Sequence, residues 1–248
     1  RSSDSGAASN TWLGNESRAG GLRASFPLRR GRDHALWLSG GLDLRHVEQN
    51  WLAAGRFKED LSVLRISVHG DRSGPAGVST VLAQVSAGID AFGATDAPTR
   101  RQSRWDADGQ FAKVSLQGSH YRDLGSKAGI YLATDVQWSP DALLASEEFA
   151  VGALPYGRAY NYGEISGDSG LAGLVELRLG WAVKRKPLTF FQTYGFLDGA
   201  KVWNRNAAPG WRTAALSSAG AGVRLKFSDR LSLRIEAAKP LTRIPYAQ

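Results

Sequence analysis

Hydrophobicity alternates with a period of two along most of this chain. In residues 129–138, Ile130, Leu132, Val136 and Trp138 share one parity, and Tyr131, Asp135 and Gln137 the other. In 171–179, Leu171, Val175, Leu177 and Leu179 oppose Glu176 and Arg178. In 221–228, Val223, Leu225 and Phe227 oppose Arg224 and Lys226, and in 231–238, Leu231, Leu233 and Ile235 oppose Ser232, Arg234 and Glu236. Successive side chains of a strand point to opposite faces, so the pattern specifies strands with one apolar and one polar face. Further strands read as 20–28, 35–45, 57–70, 78–92, 110–123 and 189–203, about ten in all. Each is near the roughly 9–11 residues, or more, that cross a bilayer at a tilt. No window approaches the roughly 18 consecutive apolar residues of a spanning helix, and only 140–148 fits a short turn of helix.

Alternation alone fits a soluble β-sandwich as well as a transmembrane antiparallel β-barrel. Composition fits the barrel. The 248 residues include no Cys and no Met, 29 Gly and 10% aromatics, and only 42% are hydrophobic. A barrel strand is apolar on one face only, so moderate hydrophobicity is what it requires. The polar faces mix signs: Asp135, Glu176, Arg178, Arg224, Lys226, Arg234 and Glu236 fall at inward parity on nearby strands. In a lumen such charges must pair across neighbouring strands. The plainer alternative is a solvated outer face. The barrel reading expects Trp138, Val136, Leu132, Leu177, Val223 and Leu233 to meet outer-membrane lipid.

Link lengths carry independent information. The links at 29–34, 71–77, 124–127, 182–188 and 228–230 are short, and those at 46–56, 93–109, 140–169 and 204–213 are longer. Outer-membrane barrels alternate short periplasmic turns with longer outer loops. This parity puts 140–169 outside and the turns at 124–127, 182–188 and 228–230 in the periplasm.

The net charge of +8 raises the question of nucleic acid. The cations are spread singly, and the densest groups, Arg29-Arg30-Gly31-Arg32 and Lys184-Arg185-Lys186, sit at turns, so no nucleic-acid face is expected. His34, His46, His69 and His120 are scattered and show no metal spacing. Nothing resembles a nucleophile elbow, and Glu147-Glu148 reads as loop polarity. No catalysis, cofactor or metal is expected. Residues 1–20 are polar and carry no signal peptide, so the mature chain is expected to begin upstream.

The 140–169 segment is about twice the length at which a structureless loop becomes uncommon and usually functional. It holds Gly152, Gly157, Gly163 and Gly167, with Gly170 just beyond, and Arg158 flanked by Tyr156, Tyr160 and Tyr162. A lone Arg among aromatics reaches a carboxylate bidentately and is stacked in place. The loop is therefore expected to fold back into the lumen and fix itself to the wall.

Several runs in this region resemble one family. They are Gln137-Trp138-Ser139, Leu144-Ala145-Ser146-Glu147-Glu148-Phe149-Ala150-Val151-Gly152, Gly157-Arg158-Ala159-Tyr160 and Gly167-Asp168-Ser169-Gly170. They are similar to the segment entering and leaving the sixth loop of two-partner secretion translocators, the hemolysin and filamentous-hemagglutinin secretion proteins of the Omp85 superfamily. Phe196-Leu197-Asp198-Gly199-Ala200 resembles the superfamily's Phe-x-Asp strand, and Arg234-Ile235-Glu236-Ala237-Ala238-Lys239-Pro240-Leu241 its penultimate strand. The family's usual Val-Arg-Gly-Tyr reads Gly157-Arg158-Ala159-Tyr160 here, and Ala200 stands where Gly is common.

The resemblance covers roughly 20–241. It implies a monomeric barrel of about sixteen strands preceded by two POTRA domains. Residues 1–19 would be a polar lead-in, 20–241 the later barrel strands with the inserted loop, and 242–248 the start of the last outer loop. The POTRA domains, the first strands and the last strand would be missing. The implied function is an outer-membrane pore of a Gram-negative bacterium that passes an unfolded exoprotein outward without ATP, driven by folding outside. The alternatives are an Omp85-type insertase and a passive porin. The implied lock joins Arg158, Tyr160, Phe196 and Asp198, with an Arg158 guanidinium to Asp198 carboxylate contact at its centre.

Overall fold

The computed structural model describes residues 14–51, 55–75, 77–95, 103–184, 186–208 and 210–242. Its strands run β1 Gly14–Arg30, β2 His34–Trp51, β3 Gly55–Gly74, β4 Gly77–Gly88, β5 Phe111–Asp123 and β6 Ala128–Trp138. Then follow β7 Phe149–Val151, β8 Ile165–Gly167, β9 Ser169–Ala182, β10 Phe190–Trp203, β11 Thr213–Lys226 and β12 Ser232–Pro240. Ten of them form one antiparallel sheet in the order β1-β2-β3-β4-β5-β6-β9-β10-β11-β12, and β7 pairs only with β8. Every neighbour in the main sheet is also the next long strand in sequence. This is the meander of an up-and-down barrel wall, with β1 and β12 at its edges among the described residues.

The alternation fixes which face is which. Ile130, Leu132 and Trp138 on β6 and Leu171, Val175, Leu177 and Leu179 on β9 lie on one face, where Leu132, Trp138 and Leu177 are exposed. Register places Tyr131 opposite Glu176, Glu176 opposite Phe196, and Phe196 opposite Gly220 on the other. Leu174, Tyr194, Phe196, Ala200, Val202 and Leu216 on this inner face are buried beneath Phe149, Val151, Tyr156, Tyr160 and Ile165 of the 139–168 link. The core thus sits between wall and loop. A sheet that exposes its apolar face and buries its polar one is the inverse of a soluble sandwich.

Several sequence boundaries shift. Residues 14–19, read as lead-in, belong to β1; residues 1–13 and 243–248 lie outside the described ones, as does Arg185 of the basic turn. The longer link at 46–56 is instead a continuation of β2 and β3, which pair from His34 with Arg72 to Trp51 with Gly55. His46 and Asp60 are cross-strand partners there, with Nδ1 and Oδ1 2.7 Å apart. Residues 46–51 pair as strand but carry no apolar–polar alternation, which is why this stretch read as a link. Residues 140–148 form turns, not helix. Leu143 and Leu144 are buried against Leu61, Val63 and Phe111, and that packing outweighs the local helical tendency.

Candidate functional site

Residues 139–168 leave β6, cross the inner face and return to β9. Their tip is held through its backbone. The Gly157 amide donates to Asp198 Oδ1 at 2.8 Å, and Ser218 Oγ donates to the same oxygen at 2.7 Å. The Arg158 amide lies 3.5 Å from Oδ2. Gly157 has φ +82°, a conformation that side chains with a Cβ rarely adopt, and a Cβ there would meet Leu216 Cδ1 at 2.9 Å. The departure from Val at this position is therefore tied to the close approach of the tip to Asp198.

The Arg158 guanidinium does not reach Asp198, contrary to the sequence reading. Its Nη1 donates to Glu176 Oε2 at 2.9 Å and to Glu236 Oε2 at 3.0 Å, and it stacks 4.2 Å from the centre of the Phe196 ring. The reason is reach. Glu176 pairs in register with Phe196, one inward row beyond Asp198. The short Asp198 side chain is taken up by main-chain amide and hydroxyl, while the long Arg158 side chain passes it. Glu176 Oε1 also accepts from Arg178 Nε at 2.7 Å and Arg224 Nη2 at 2.8 Å. Glu236 accepts from the Tyr194 hydroxyl at 2.7 Å and pairs with Arg234. The Glu176 side chain is 0% exposed and that of Arg158 5%. A carboxylate so enclosed persists as a charge only because guanidiniums surround it.

Tyr160 anchors the tip elsewhere. Its hydroxyl donates to the Ser217 carbonyl at 3.0 Å and lies 2.7 Å from Thr242 Oγ1. Gly170, at the return into β9, lies under the Phe149 ring, where a Cβ would clash. Gly167 is similarly close to Val202 and Trp203, and Gly152 has φ +143°. Two expected charges stand apart from the lock. Asp135 accepts from Gln117 at 3.2 Å and lines an open cavity of about 630 Å³ with Tyr131 and Tyr156. Lys226 pairs with Asp229 at 2.8 Å at the exposed end of β11.

A second set of anchors, at the loop base, was not foreseen. Glu147 lies 2.7 Å from Arg65 Nη2 and 2.9 Å from Lys113 Nζ. Burial pushes its carboxyl up, but Lys113 and Arg65 outweigh burial and hold it below the usual glutamate value. Asp168, fully buried, accepts from Arg104 Nη1 and from the amides of Leu143 and Arg205, both at 2.7 Å. Arg104 also reaches Glu148 at 3.0 Å and Asp106 at 3.0 Å. Burial opposes its charge, and the hydrogen bond to Asp106 with the charges of Asp168 and Glu148 more than restores it. One guanidinium thereby ties the 89–110 link to the 139–168 link. The adjacent Glu147 and Glu148 were the available signal, but their partners lie in other links and strands.

The arrangement is a loop pinned at its tip and at its base against the inner wall. Among the described residues no cluster of His, Cys, Asp or Glu fit for a metal ion occurs. A family model described as haemolysin secretion/activation protein ShlB/FhaC/HecB matches residues 7–225. Solved structures with the same fold include CdiB from Escherichia coli, at 24% identity and a TM-score of 0.78. CdiB from Acinetobacter baumannii matches at 18% and 0.72. BamA from Haemophilus ducreyi lacking POTRA domains 1–3 matches at 14% and 0.67. Each match covers 94% of this chain but only 44%, 40% and 52% of the other, so the chain spans about half or less of the structures it resembles. No curated relative matches by sequence.

Proposed function

Because the chain belongs to the haemolysin secretion/activation family ShlB/FhaC/HecB, transporters of Omp85 type in the Gram-negative outer membrane, we propose that it forms part of a pore exporting an unfolded exoprotein of hemolysin or adhesin type. The observation that carries the reading is the inserted loop, locked by Arg158 onto Glu176 and Glu236 within the wall. A passive porin has no need of a gate pinned by a buried ion pair. In this reading Arg158, Tyr160, Phe196 and Asp198 are the lock, and a passing chain requires the loop to move.

The exposed apolar face carrying Leu132, Trp138 and Leu177 meets lipid, and the short turns face the periplasm. The partners are the exported chain and outer-membrane lipid, and the barrel works as a monomer. The test is co-production of the full-length protein with a haemolysin-type exoprotein, measuring exoprotein at the cell surface. Export that needs this protein, and falls with Arg158→Ala, is the expected result. If its removal instead depletes other outer-membrane barrels and leaves the exoprotein exported, the chain serves an insertase and the reading fails.

A further inference from the structure

Beneath the loop tip, the inner wall of β9–β12 is ordered by charge. Glu176 lies deepest, in the row with Phe196 and Gly220. The next row toward the short turns holds Arg178, Tyr194, Gly222 and Glu236, and the one after it Gln192, Arg224 and Arg234. Lys226 closes the series at the mouth. Four guanidiniums, those of Arg158, Arg178, Arg224 and Arg234, thus share two carboxylates. The surplus is cationic, with Arg178 level with Glu236 and Arg224 and Arg234 one row nearer the mouth.

These cations are both reachable and held in place. The side chains of Arg178, Arg224 and Arg234 are 22%, 27% and 38% exposed, against 5% for Arg158. Arg178 stacks 4.5 Å from the centre of the Tyr131 ring and Arg224 3.9 Å from that of Tyr194. Arg178 uses only Nε, on Glu176, and its two terminal nitrogens have no hydrogen-bond partner among the described residues. A planar fork stacked on an aromatic ring, with free donors, is pre-organised for a carboxylate. The inner cavity beside Tyr131 is lined by the neutral Ser39, Ser67, Thr80, Gln117 and Ser119, together with Arg23, His69 and Asp135.

We propose that Arg178, Arg224, Arg234 and Lys226 form a docking site for acidic side chains of a polypeptide entering from the short-turn side. The proposal rests on the translocator reading and names what that pore meets first. The occupant is a chain within the pore, not a lipid headgroup, because these side chains point to the inner face, opposite the exposed apolar one. Each contact is weak, since a partly exposed ion pair contributes about 1 kcal/mol or less. A chain is therefore retained by several acidic residues in passing and not trapped by any one.

The test uses the full-length protein in planar bilayers, with a decameric oligoglutamate added to either side. Block from the short-turn side is expected, with little from the other side and none from oligolysine. Arg178→Gln should weaken the block roughly 3–10-fold. Lys226→Gln, which leaves the lock contacts in place, should weaken it by a smaller factor, so the test survives if Arg178→Gln fails to fold. Equal block by both peptides, equal block from both sides, or block unchanged in both variants would overturn the proposal. So would equal block by inorganic phosphate, which marks a site for any small anion. If the wild-type protein exports its exoprotein and oligoglutamate has no effect, this inference alone falls. If it exports nothing, the translocator reading falls as well.

Discussion

Glu176 is the residue on which the lock turns. It accepts from three guanidiniums in an enclosed site, so Glu176→Gln leaves three cations with one carboxylate fewer between them. Breaking a buried pair in this way costs about 3–5 kcal/mol, less where lumen water reaches. The two anchors of the tip are chemically separate: Asp198 takes the Gly157 amide, and Glu176 takes the Arg158 side chain. A double-mutant cycle of Arg158→Ala with Glu176→Gln should show a coupling of about 0.5–3 kcal/mol in unfolding stability. The cycle of Arg158→Ala with Asp198→Asn should show a clearly smaller one. Equal couplings would mean that the tip moves as one unit. Gly157→Val, which restores the family's usual residue, should loosen the tip, read as faster proteolysis within 153–163. Parity in the sequence set Phe196, Asp198, Glu176 and Glu236 on the inner face, but only Phe196 and Asp198 were joined with Arg158 and Tyr160 in the expected lock, and Glu176 and Glu236 were read as lumen charges. It could not name the pairing, because choosing between Asp198 and Glu176 depends on how far the backbone of the loop descends.

At the scale of the element, the 139–168 link is held at its base by Glu147 and Asp168 as well as at its tip. The Glu147 carboxyl sits below its ordinary value, so its contribution is complete above the ordinary glutamate range. That contribution is lost as pH falls through the lowered folded value. Protection against amide exchange within 139–149 should therefore hold from neutral pH through the ordinary glutamate range and be lost only at lower pH. Protection already lost between pH 7 and 5 would contradict the assignment. Arg104→Ala should speed exchange in both the 103–110 and 139–149 segments, since one guanidinium joins them. Strands were legible because their period survives any local context. The base of this loop was not, since Arg104 and Glu148 are 44 residues apart and no periodicity links them.

Over the whole molecule, the division between the two faces is the feature with the largest consequence for stability. Leu177→Arg places a cation on the exposed apolar face, and in a bilayer it should cost about 2–4 kcal/mol at the midplane, falling to about 0–1 near either interface. Glu176→Arg, one residue away, instead tests the inner face. Cysteines placed at 177, on the apolar face, and at 117, on the open inner cavity, should differ sharply in labelling by a water-soluble thiol reagent, and equal labelling would remove the basis for the barrel reading. The ten-strand meander was readable in advance because each strand carries its own parity. The length of the β2–β3 hairpin was not, since residues 46–51 carry no alternation.

The inserted loop also has a mechanical meaning. Its base is tied to Arg65 on β3 and Lys113 on β5, and its tip to Glu176 on β9 and Glu236 on β12. A sheet curves into an arch through the sum of small rotations between neighbouring strands, and nothing in its hydrogen bonds fixes the width of the opening. The loop acts as a chord across that arch, held at four charged fastenings. Such a chord sets the span for every strand beneath it. Releasing either end would let strands that never touch the loop move apart, so the width of the wall would be governed by a few ion pairs at the ends of one link.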